Sequence, residues 1–580
     1  MGEPKQAASR RALPWWITLA VGALVAAAGV MLVTRPFASV ESLLAVVSAG
    51  LALLAVVEFV RWVRLGARSG WWRAVLGCLL VAAFVVSLIR PALTVGLVVV
   101  LLAVTLIGLG AADVVRALLG RADGRLVPLL SGLTGVVFGV VALSWPDVTI
   151  MIVGVLFGVW LVITGARLVL AGVRARPGAR PRPASSRRAG WRTAGAIVGF
   201  VAAIATAFVA VRLTGTPVPD AFYAAPDGVP DEPGVLLRSE PFSRTIPDGA
   251  TGWRILYTTT RDDGVPAIAS GLVVVPDDGD EHPVIAWAHG TTGVGVGCAP
   301  SLLAEPFVAG AMPDLTAALE RGWAVVATDY VGLGADAPHP YVVGQPEGRS
   351  VLDAVRAAAQ LDGVALGGQT VVWGHSQGGQ SALWAGGLAS EYAPELDIVG
   401  VAAMAPAANL PVLVSSFADS ALGALFGSFV MVGYAGFYDD IRIEDYVRPE
   451  ARVIVEEIGN RCLTDASTIV SVAETAFADR PVWSTDPAAG PMAERAEQNV
   501  PRLPIAAPLL LAQGLADPLV LPDAQRAYVE SLCESGQQVD FRTYEGLDHM
   551  GIVTGDSPLL GELLDWTEER FSGAAPKDTC

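Results

Sequence analysis

The sequence predicts a multi-domain protein in which an α-helical transmembrane bundle precedes an α/β domain. Of its 580 residues, 53% are hydrophobic and only 16% are charged, whereas about 25% charged is usual for a soluble protein. Residues 1–213 hold 21 basic and 6 acidic residues, a net charge of +15, and residues 214–580 hold 18 and 50, a net charge of −32. The acidic second part lacks the basic surface that nucleic acid requires, so we expect no nucleic-acid partner.

Seven apolar segments of the first part approach the length of a membrane span, which needs roughly 20 residues. The predicted spans are 12–33, 40–60, 74–89, 92–115, 126–145, 149–173 and 193–211. Basic residues concentrate before the first span and after the second, fourth and sixth, and positively charged loops stay cytoplasmic. We therefore expect a cytoplasmic N-terminus and an extracytoplasmic C-terminal part. Arginine far outnumbers lysine, which is typical of a GC-rich bacterial genome, so the expected location is a bacterial cell membrane.

Two residue types recur at intervals of 55 residues: Pro36, Pro91 and Pro146, and likewise Gly22, Gly77 and Gly132. The prolines mark the outer turns of three helical hairpins, which predict a six-span domain over residues 1–173. This pattern resembles the HdeD-like family of short-repeat membrane proteins, and the resemblance implies little chemistry. Residues 174–192 are predicted to form a basic cytoplasmic linker, and residues 193–213 a seventh span that serves as a signal-anchor.

Glu58, Asp113 and Arg167 are ionisable residues within the predicted spans, where such residues are candidates for function. All three lie near the cytoplasmic ends of their helices. We therefore expect them to form ion pairs or interface anchors, and a transport or sensing role is the alternative.

From about residue 220 the pattern changes to short, β-branched runs that alternate with helical stretches. The candidate strands are 255–260, 267–275, 284–288, 324–329, 370–373, 398–403, 509–512 and 540–544. Such alternation predicts a mainly parallel sheet with helices on both faces. Residues 220–580 suffice for one large α/β domain with an inserted helical cap at about 410–502.

The segment 374–378 reads Gly-His-Ser-Gln-Gly and lies between a predicted strand and a predicted helix. This G-x-S-x-G pattern is the nucleophile elbow, a sharp turn that exposes a serine and requires glycine on either side. Ser376 is therefore the candidate nucleophile. In this arrangement the base follows the serine in the chain, and His549 is the one histidine after Ser376.

An acid is expected after the strand that precedes the histidine segment, where its carboxylate can orient the imidazole. Asp517 follows the strand 509–512 and directly precedes a proline, so it is the candidate acid. Asp523, Glu545 and Asp548 are the alternatives.

The tetrahedral oxyanion of acyl transfer needs two N–H donors. Gln377, the residue after the nucleophile, should supply one of them. The other is expected from the loop that follows the strand 284–288, where Thr291 is the first choice and Gly290 the second. His289 in the same loop is expected to brace it.

Four segments in this order resemble the secretory lipase family of α/β-hydrolases: 289–293, 298–301, 329–334 and 374–379. The resemblance covers about residues 235–570 and implies an α/β-hydrolase fold with a helical cap. It implies a Ser376–His549–Asp517 triad and hydrolysis of acyl esters, including triacylglycerols.

The resemblance also implies a disulfide between Cys298 and Cys462, which an extracytoplasmic location permits. Cys533 and Cys580 could pair or remain free. The apolar run 421–438 within the cap is long enough to suggest an eighth span. Such a span would separate Asp517 and His549 from the nucleophile, so a cap or lid helix is the expectation.

Together these patterns predict a membrane-anchored, extracytoplasmic carboxylic ester hydrolase, a lipase or esterase that forms an acyl-enzyme. The expected substrate is an acyl ester or lipid. We expect no cofactor and no metal, because the sequence has no metal-ligand spacing and no phosphate loop. The alternatives are a cell-envelope acyltransferase and a membrane sensor or transporter with a binding-only, hydrolase-like domain.

Overall fold

A computed structural model describes residues 14–65, 71–89, 91–119, 125–175, 188–213, 215–261, 264–335, 338–418, 420–476 and 481–580. The chain forms two units, one made mainly of residues before 213 and one made mainly of the residues after it. Most of the predicted basic linker, residues 176–187, lies outside the described residues. So do several of the loop arginines from which the topology is predicted.

Seven helices of the first unit match the seven predicted spans and are long and apolar enough to cross a membrane. They are α1 (Trp15–Val33), α2 (Pro36–Leu65), α3 (Trp71–Ile89), α4 (Pro91–Leu119), α5 (Leu126–Ser144), α6 (Pro146–Arg174) and α7 (Arg188–Leu213). The three repeated prolines each begin a helix. Proline suits the first helical position, where its missing N–H would have no intrahelical partner.

The hairpins of the repeat are not the units of tightest packing. Helix α1 packs chiefly against α6, α2 against α3, and α4 against α5. Each of these pairs joins helices from two different hairpins, and the two helices within one hairpin contact each other less. A Cβ added to Gly22 would lie 2.8 Å from the Gly165 carbonyl oxygen, and one on Gly132 would lie 2.5 Å from that of Gly110. Gly77 meets the ring of Phe59. The repeated glycines thus occupy equivalent positions in three interfaces, where small residues let backbones approach.

Two of the ionisable residues within the predicted spans form ion pairs. Glu58 accepts hydrogen bonds of 2.7 Å from both Arg61 and Arg73. Asp113, which is 55 residues further along, pairs at 2.7 Å with Arg116, the repeat equivalent of Arg61. Arg167 lies exposed on α6. Glu58 and Asp113 therefore fit the expected ion pairs.

The second unit is built on a nine-stranded sheet in the order β1-β2-β3-β5-β4-β6-β7-β8-β9. The strands are β1 (Leu236–Phe242), β2 (Ala250–Thr260), β3 (Pro266–Pro276), β4 (His282–Ala288), β5 (Ala324–Thr328), β6 (Leu366–His375), β7 (Asp397–Met404), β8 (Leu509–Gly514) and β9 (Val539–Tyr544). The first three strands and the β3–β5 pair are antiparallel, and the remaining pairs are parallel. All eight predicted strands are present. The additional strand β1 lies at the edge of the sheet, and its charged and proline residues interrupt the apolar pattern that predicts a strand.

Helices cover both faces of this sheet, as expected for an α/β domain. The helices of this unit are α8 (Pro306–Ala309), α9 (Leu315–Glu320), α10 (Gly344–Ala358), α11 (Gln377–Tyr392), α12 (Leu410–Ser415), α13 (Ala421–Phe437), α14 (Ile443–Tyr446), α15 (Arg452–Asn460), α16 (Thr468–Ala476), α17 (Pro491–Gln498), α18 (Pro522–Glu534) and α19 (Pro558–Phe571). One core lies under α10, α11 and α18, and the other under α9 and α19.

The segment between β7 and β8 forms the inserted helices α12 to α17. Helix α13 is the apolar run that resembles an eighth span, but Phe429, Met431 and Tyr434 at its centre are almost completely buried in protein. Its 17 residues are also shorter than the other candidate spans. Helix α13 is therefore a packed element of the second unit.

Two disulfides close loops of the second unit. Cys298, after β4, is joined to Cys462, after α15. Cys533 in α18 is joined to Cys580, which anchors the C-terminal tail. Thr579 of this tail donates its amide to the Val539 carbonyl at 2.8 Å, so the tail lies along the outer edge of β9.

Candidate active site

Ser376 occupies a strained turn between β6 and α11. Its φ of 58° and ψ of −118° lie in a region that non-glycine residues rarely adopt. A Cβ on Gly374 would overlap the Gly378 carbonyl, and one on Gly378 would overlap the Ala288 carbonyl. The two glycines therefore allow the chain to turn tightly enough to present the serine at the carboxyl end of the sheet.

The structure brings the three candidate triad residues together. The Nε2 atom of His549 lies 2.8 Å from the Ser376 Oγ, and its Nδ1 atom lies 2.7 Å from the Asp517 Oδ2. The other carboxylate oxygen of Asp517 accepts the amides of Leu519 at 2.8 Å and Val520 at 2.9 Å. Because Asp517 only accepts here, the His549 Nδ1 donates and its Nε2 is left to accept the serine proton.

The electrostatics around Asp517 favour its charged form. Burial alone would raise its pKa, but the hydrogen bond and charge of His549 and the two backbone amides outweigh burial. The pKa of Asp517 is therefore lowered below its ordinary value, and the carboxylate is ionised at neutral pH.

The alternative acids lie elsewhere. Asp548 accepts the amide of Gly551 at 2.7 Å, and Asp523 meets only the exposed side chain of Arg526 at 3.4 Å. Glu545 is exposed in the turn after β9. Within the described ranges, no side chain of these three is bonded to His549.

The candidate oxyanion donors differ in their availability. Gln377 is the first residue of α11, so its amide N–H has no acceptor within the helix. Thr291 lies in the loop after β4, and within the described part of the chain its amide donates no hydrogen bond. The Gly290 amide donates to the Gly310 carbonyl at 2.8 Å, which argues against Gly290, the second choice.

Two neighbouring histidines are buried and neutral. Burial lowers the pKa of His289 to about 4, and its ring bonds to the carbonyl of its neighbour Gly290 at 2.6 Å, as a bracing residue would. Burial and the adjacent His549 lower the pKa of His375 to about 3. The His375 Nε2 donates to the backbone carbonyl of His549 at 2.9 Å and so holds the loop of the candidate base. Sequence reasoning missed this role, because only the folded chain brings the two residues together.

A cavity of about 90 Å³ with both polar and apolar lining residues opens beside Ser376 and His549. Its walls come chiefly from α12, the turn that follows it, α13 and the loop after β8. The apolar lining residues include Leu413, Phe417, Phe426, Val430 and Leu519, and Tyr341, Ser416 and Ser420 add hydroxyl groups. An apolar group of a substrate would therefore be accommodated next to the serine hydroxyl. Within the described ranges, no group of three or more His, Cys, Asp or Glu side chains is placed to hold a metal ion.

The fold and the elbow define the C-terminal unit as an α/β-hydrolase. The model of the secretory lipase family matches residues 311–579, and that of a short repeat of unknown function matches residues 20–86 and 130–208. The C-terminal part therefore resembles the secretory lipases and the N-terminal part the HdeD-like short-repeat proteins, which confirms both resemblances seen in the sequence.

Curated relatives and solved structures agree with this assignment. "Secreted triacylglycerol lipase LIP7" of Malassezia globosa is 27% identical over 387 residues, which cover 62% of this chain and 81% of the relative. "Probable inactive lipase MT1628" of Mycobacterium tuberculosis is 28% identical over 385 residues, which cover 62% and 83%. The crystal structure of Candida antarctica lipase A superposes with a TM-score of 0.52 at 20% identity, covering 63% of this chain and 89% of that one. The family model and the triacylglycerol lipase relative support hydrolase activity of the lipase type, the solved structure supports the fold, and the second curated relative is named as probably inactive.

Proposed function

We propose that this protein is a membrane-anchored serine ester hydrolase that cleaves acyl esters outside the cytoplasm. The observation that carries the proposal is the chain of hydrogen bonds from the Ser376 Oγ through His549 to Asp517, beside a cavity that is lined in part by apolar side chains. Such a line is what a serine hydroxyl needs to become a nucleophile at neutral pH.

In the proposed mechanism the Ser376 Oγ attacks the ester carbonyl while His549 takes its proton. Asp517 orients the imidazole and stabilises the imidazolium. The amides of Gln377 and Thr291 bind the oxyanion. His549 then protonates the departing alcohol, which leaves an acyl group on Ser376. Water, deprotonated by His549, attacks this acyl-enzyme, and His549 returns the proton to the Ser376 Oγ as the acid leaves.

The proposed substrate is an ester with an apolar acyl group. The cavity beside Ser376 is lined in part by aliphatic and aromatic side chains, among them Leu413 of α12 and Phe426 and Val430 of α13, together with the hydroxyls of Ser416 and Ser420. The relative named a secreted triacylglycerol lipase supports a lipid ester. The apolar side chains of this cavity favour a hydrocarbon acyl chain over a charged acyl group, since burial of a charge without a partner is costly.

The proposed location is the outer face of a membrane. Basic residues concentrate in the loops that precede the first span and follow the second, fourth and sixth. The disulfides Cys298–Cys462 and Cys533–Cys580 also suit a compartment that is more oxidising than the cytosol.

Labelling of intact cells with two fluorophosphonate probes tests both parts of the proposal. We expect a membrane-permeant and a membrane-impermeant probe to label the full chain equally, and Ser376→Ala to abolish both signals. Labelling by neither probe would contradict the serine nucleophile. Labelling by the permeant probe alone would contradict the outward orientation.

A second expectation concerns Phe426, whose ring lies in the cavity wall. Phe426→Ala should widen the cavity and raise the ratio of kcat/KM for p-nitrophenyl octanoate over p-nitrophenyl acetate by roughly tenfold. Phe437→Ala is the matched control, because Phe437 lies on the same helix but outside this cavity. An unchanged ratio in Phe426→Ala, or an equal change in both variants, would show that this cavity does not bind the acyl chain.

A binding-only domain is the second candidate, because one relative carries the name of an inactive lipase. The complete Ser376–His549–Asp517 line in this chain favours catalysis instead. The labelling experiment separates the two, since a serine that only lines a binding site would not react with a fluorophosphonate.

A further inference from the structure

Glu347 is a buried carboxyl of α10 that no step of the proposed mechanism uses. It is completely buried. Its Oε1 accepts hydrogen bonds of 2.8 Å from the Gln377 Nε2 and from the Val342 amide, and its Oε2 bonds to the Ser381 hydroxyl. Among the described residues its one ion-pair contact is His339, whose Nε2 lies 3.4 Å away.

Glu347 fixes the residue that follows the nucleophile. The Gln377 side chain gives one amide proton to Glu347 and the other to the Nε2 of His339, at 2.9 Å. The backbone carbonyl of Gln377 lies 3.0 Å from the hydroxyl of Ser381, which also contacts Glu347. Both ends of Gln377 are therefore tied to the same carboxyl, and the backbone amide assigned to the oxyanion lies between them.

Glu347 is also linked to the second proposed donor. Val342, whose amide it binds, has a φ of 51°, a conformation that a β-branched residue adopts only where its surroundings enforce it. The adjacent Tyr341 places its hydroxyl 2.7 Å from the Thr291 Oγ1. One buried carboxyl thus connects to the two separate segments that carry the proposed oxyanion donors, the start of α11 and the loop after β4.

The hydrogen-bond pattern indicates that this carboxyl is protonated. Ser381 has one hydroxyl proton but two acceptors within reach, the Glu347 Oε2 and the Gln377 carbonyl. A protonated Glu347 resolves the conflict, because it donates to Ser381, which then donates to Gln377. Burial raises the pKa of Glu347 to about 8, although its three hydrogen bonds oppose this shift.

We propose that Glu347 is a positioning residue for the oxyanion hole: as an uncharged carboxyl, it holds the start of α11 with the Gln377 amide and the loop with the Thr291 amide, without placing a negative charge behind them. The inference rests on the proposed function, because the position of these amides matters only if an oxyanion forms.

The other titratable groups that face Glu347 do not change charge near pH 8. Burial lowers the pKa of His339 to about 3, so it is neutral. Burial raises the pKa of Tyr330, Tyr341 and Tyr434 above the usual value, so these are neutral too. Glu347 is therefore the member of this buried cluster that ionises between pH 7 and pH 9, and its negative charge would oppose the oxyanion.

Steady-state kinetics of the full-length protein with p-nitrophenyl butyrate test the proposal. Glu347→Leu should lower kcat about 30-fold with KM changed less than about twofold, since the amides act chiefly in the transition state. Glu347→Gln reproduces the hydrogen bonds of the protonated acid and should restore kcat at pH 7 to within about threefold of the wild type. Between pH 7 and pH 9.5 the wild-type kcat should fall about tenfold, and that of Glu347→Gln should not.

Asp353→Asn is the matched control for Glu347→Gln. Asp353 is another buried carboxyl of α10, but it bonds to Thr259, Tyr392 and Arg356 rather than to the candidate site. Its variant should keep the wild-type fall in kcat at high pH.

The outcomes separate the inference from the function. A Glu347→Leu variant with wild-type kcat, or a Glu347→Gln variant with the wild-type pH profile, would overturn the inference alone. If Glu347→Leu does not fold, the Glu347→Gln profile decides. A wild-type protein that hydrolyses no ester would contradict the proposed function itself.

Discussion

Ser376→Ala should lower kcat for p-nitrophenyl butyrate by a factor on the order of 10⁶, because it removes the atom that forms the acyl-enzyme. The Ser376 Oγ lies 2.8 Å from the base that accepts its proton. Alanine can occupy the same turn, although its φ of 58° stays strained. Initial rates of the purified full-length protein, with thermal unfolding measured in parallel, would separate lost chemistry from lost structure.

Ser531→Ala is a suitable control for this measurement. Ser531 lies on α18, and within the described ranges its hydroxyl bonds only to the backbone carbonyl of Tyr528, at 2.7 Å, so its loss should leave kcat unchanged. A folded Ser376→Ala protein that retains a few per cent of the wild-type rate would refute covalent catalysis by this serine.

Asp517→Asn should lower kcat by about 10⁴-fold, because an amide cannot satisfy the donors that surround this position. The carboxylate accepts His549 on one oxygen and the amides of Leu519 and Val520 on the other. Asparagine has one acceptor oxygen, so either orientation sets its NH₂ group against an N–H donor. The imidazole would then rotate or change tautomer, and its Nε2 would no longer accept the serine proton.

The pH dependence of Asp517→Asn and of Asp548→Asn would complete this test. Asp548 is adjacent to His549 in sequence but is exposed and bonds to Gly551, so its variant should keep the wild-type rate. Equal losses in the two variants would mean that general damage to this loop, rather than the loss of one carboxylate, explains the effect.

Local patterns predict much of the fold and less of its packing. The eight predicted strands all occur, and an apolar helix occupies each of the seven predicted spans, because each is a distinct run of apolar residues in the sequence. Strand β1 was missed because an edge strand with one exposed face needs few apolar residues. The 55-residue repeat identified the hairpins, but their tightest contacts lie between hairpins. A repeat shows which positions are equivalent without showing which helix each position faces.

The candidate site shows a similar limit. Ser376, His549 and Asp517 could be selected because each follows a predicted strand in the required order. The sequence allows the Gly290 amide as an oxyanion donor, but in the folded chain this amide bonds to the Gly310 carbonyl. Glu347 could not be found in advance, because it lies 30 residues from Gln377 and its environment exists only in the folded chain. Roles that depend on burial therefore need tertiary structure.

The C-terminal tail along β9 affects whether neighbouring copies of the protein can associate through the edges of their sheets. An exposed strand edge is a template on which a neighbouring chain can add its own strand. The Thr579 amide donates a hydrogen bond to the Val539 carbonyl, and the Cys533–Cys580 disulfide holds the tail in this position. At the opposite edge, β1 presents Arg238, Glu240 and Pro241, which are poor partners for a further strand. In the proposed membrane-anchored arrangement, crowded copies would thus have little free strand edge through which their sheets could join.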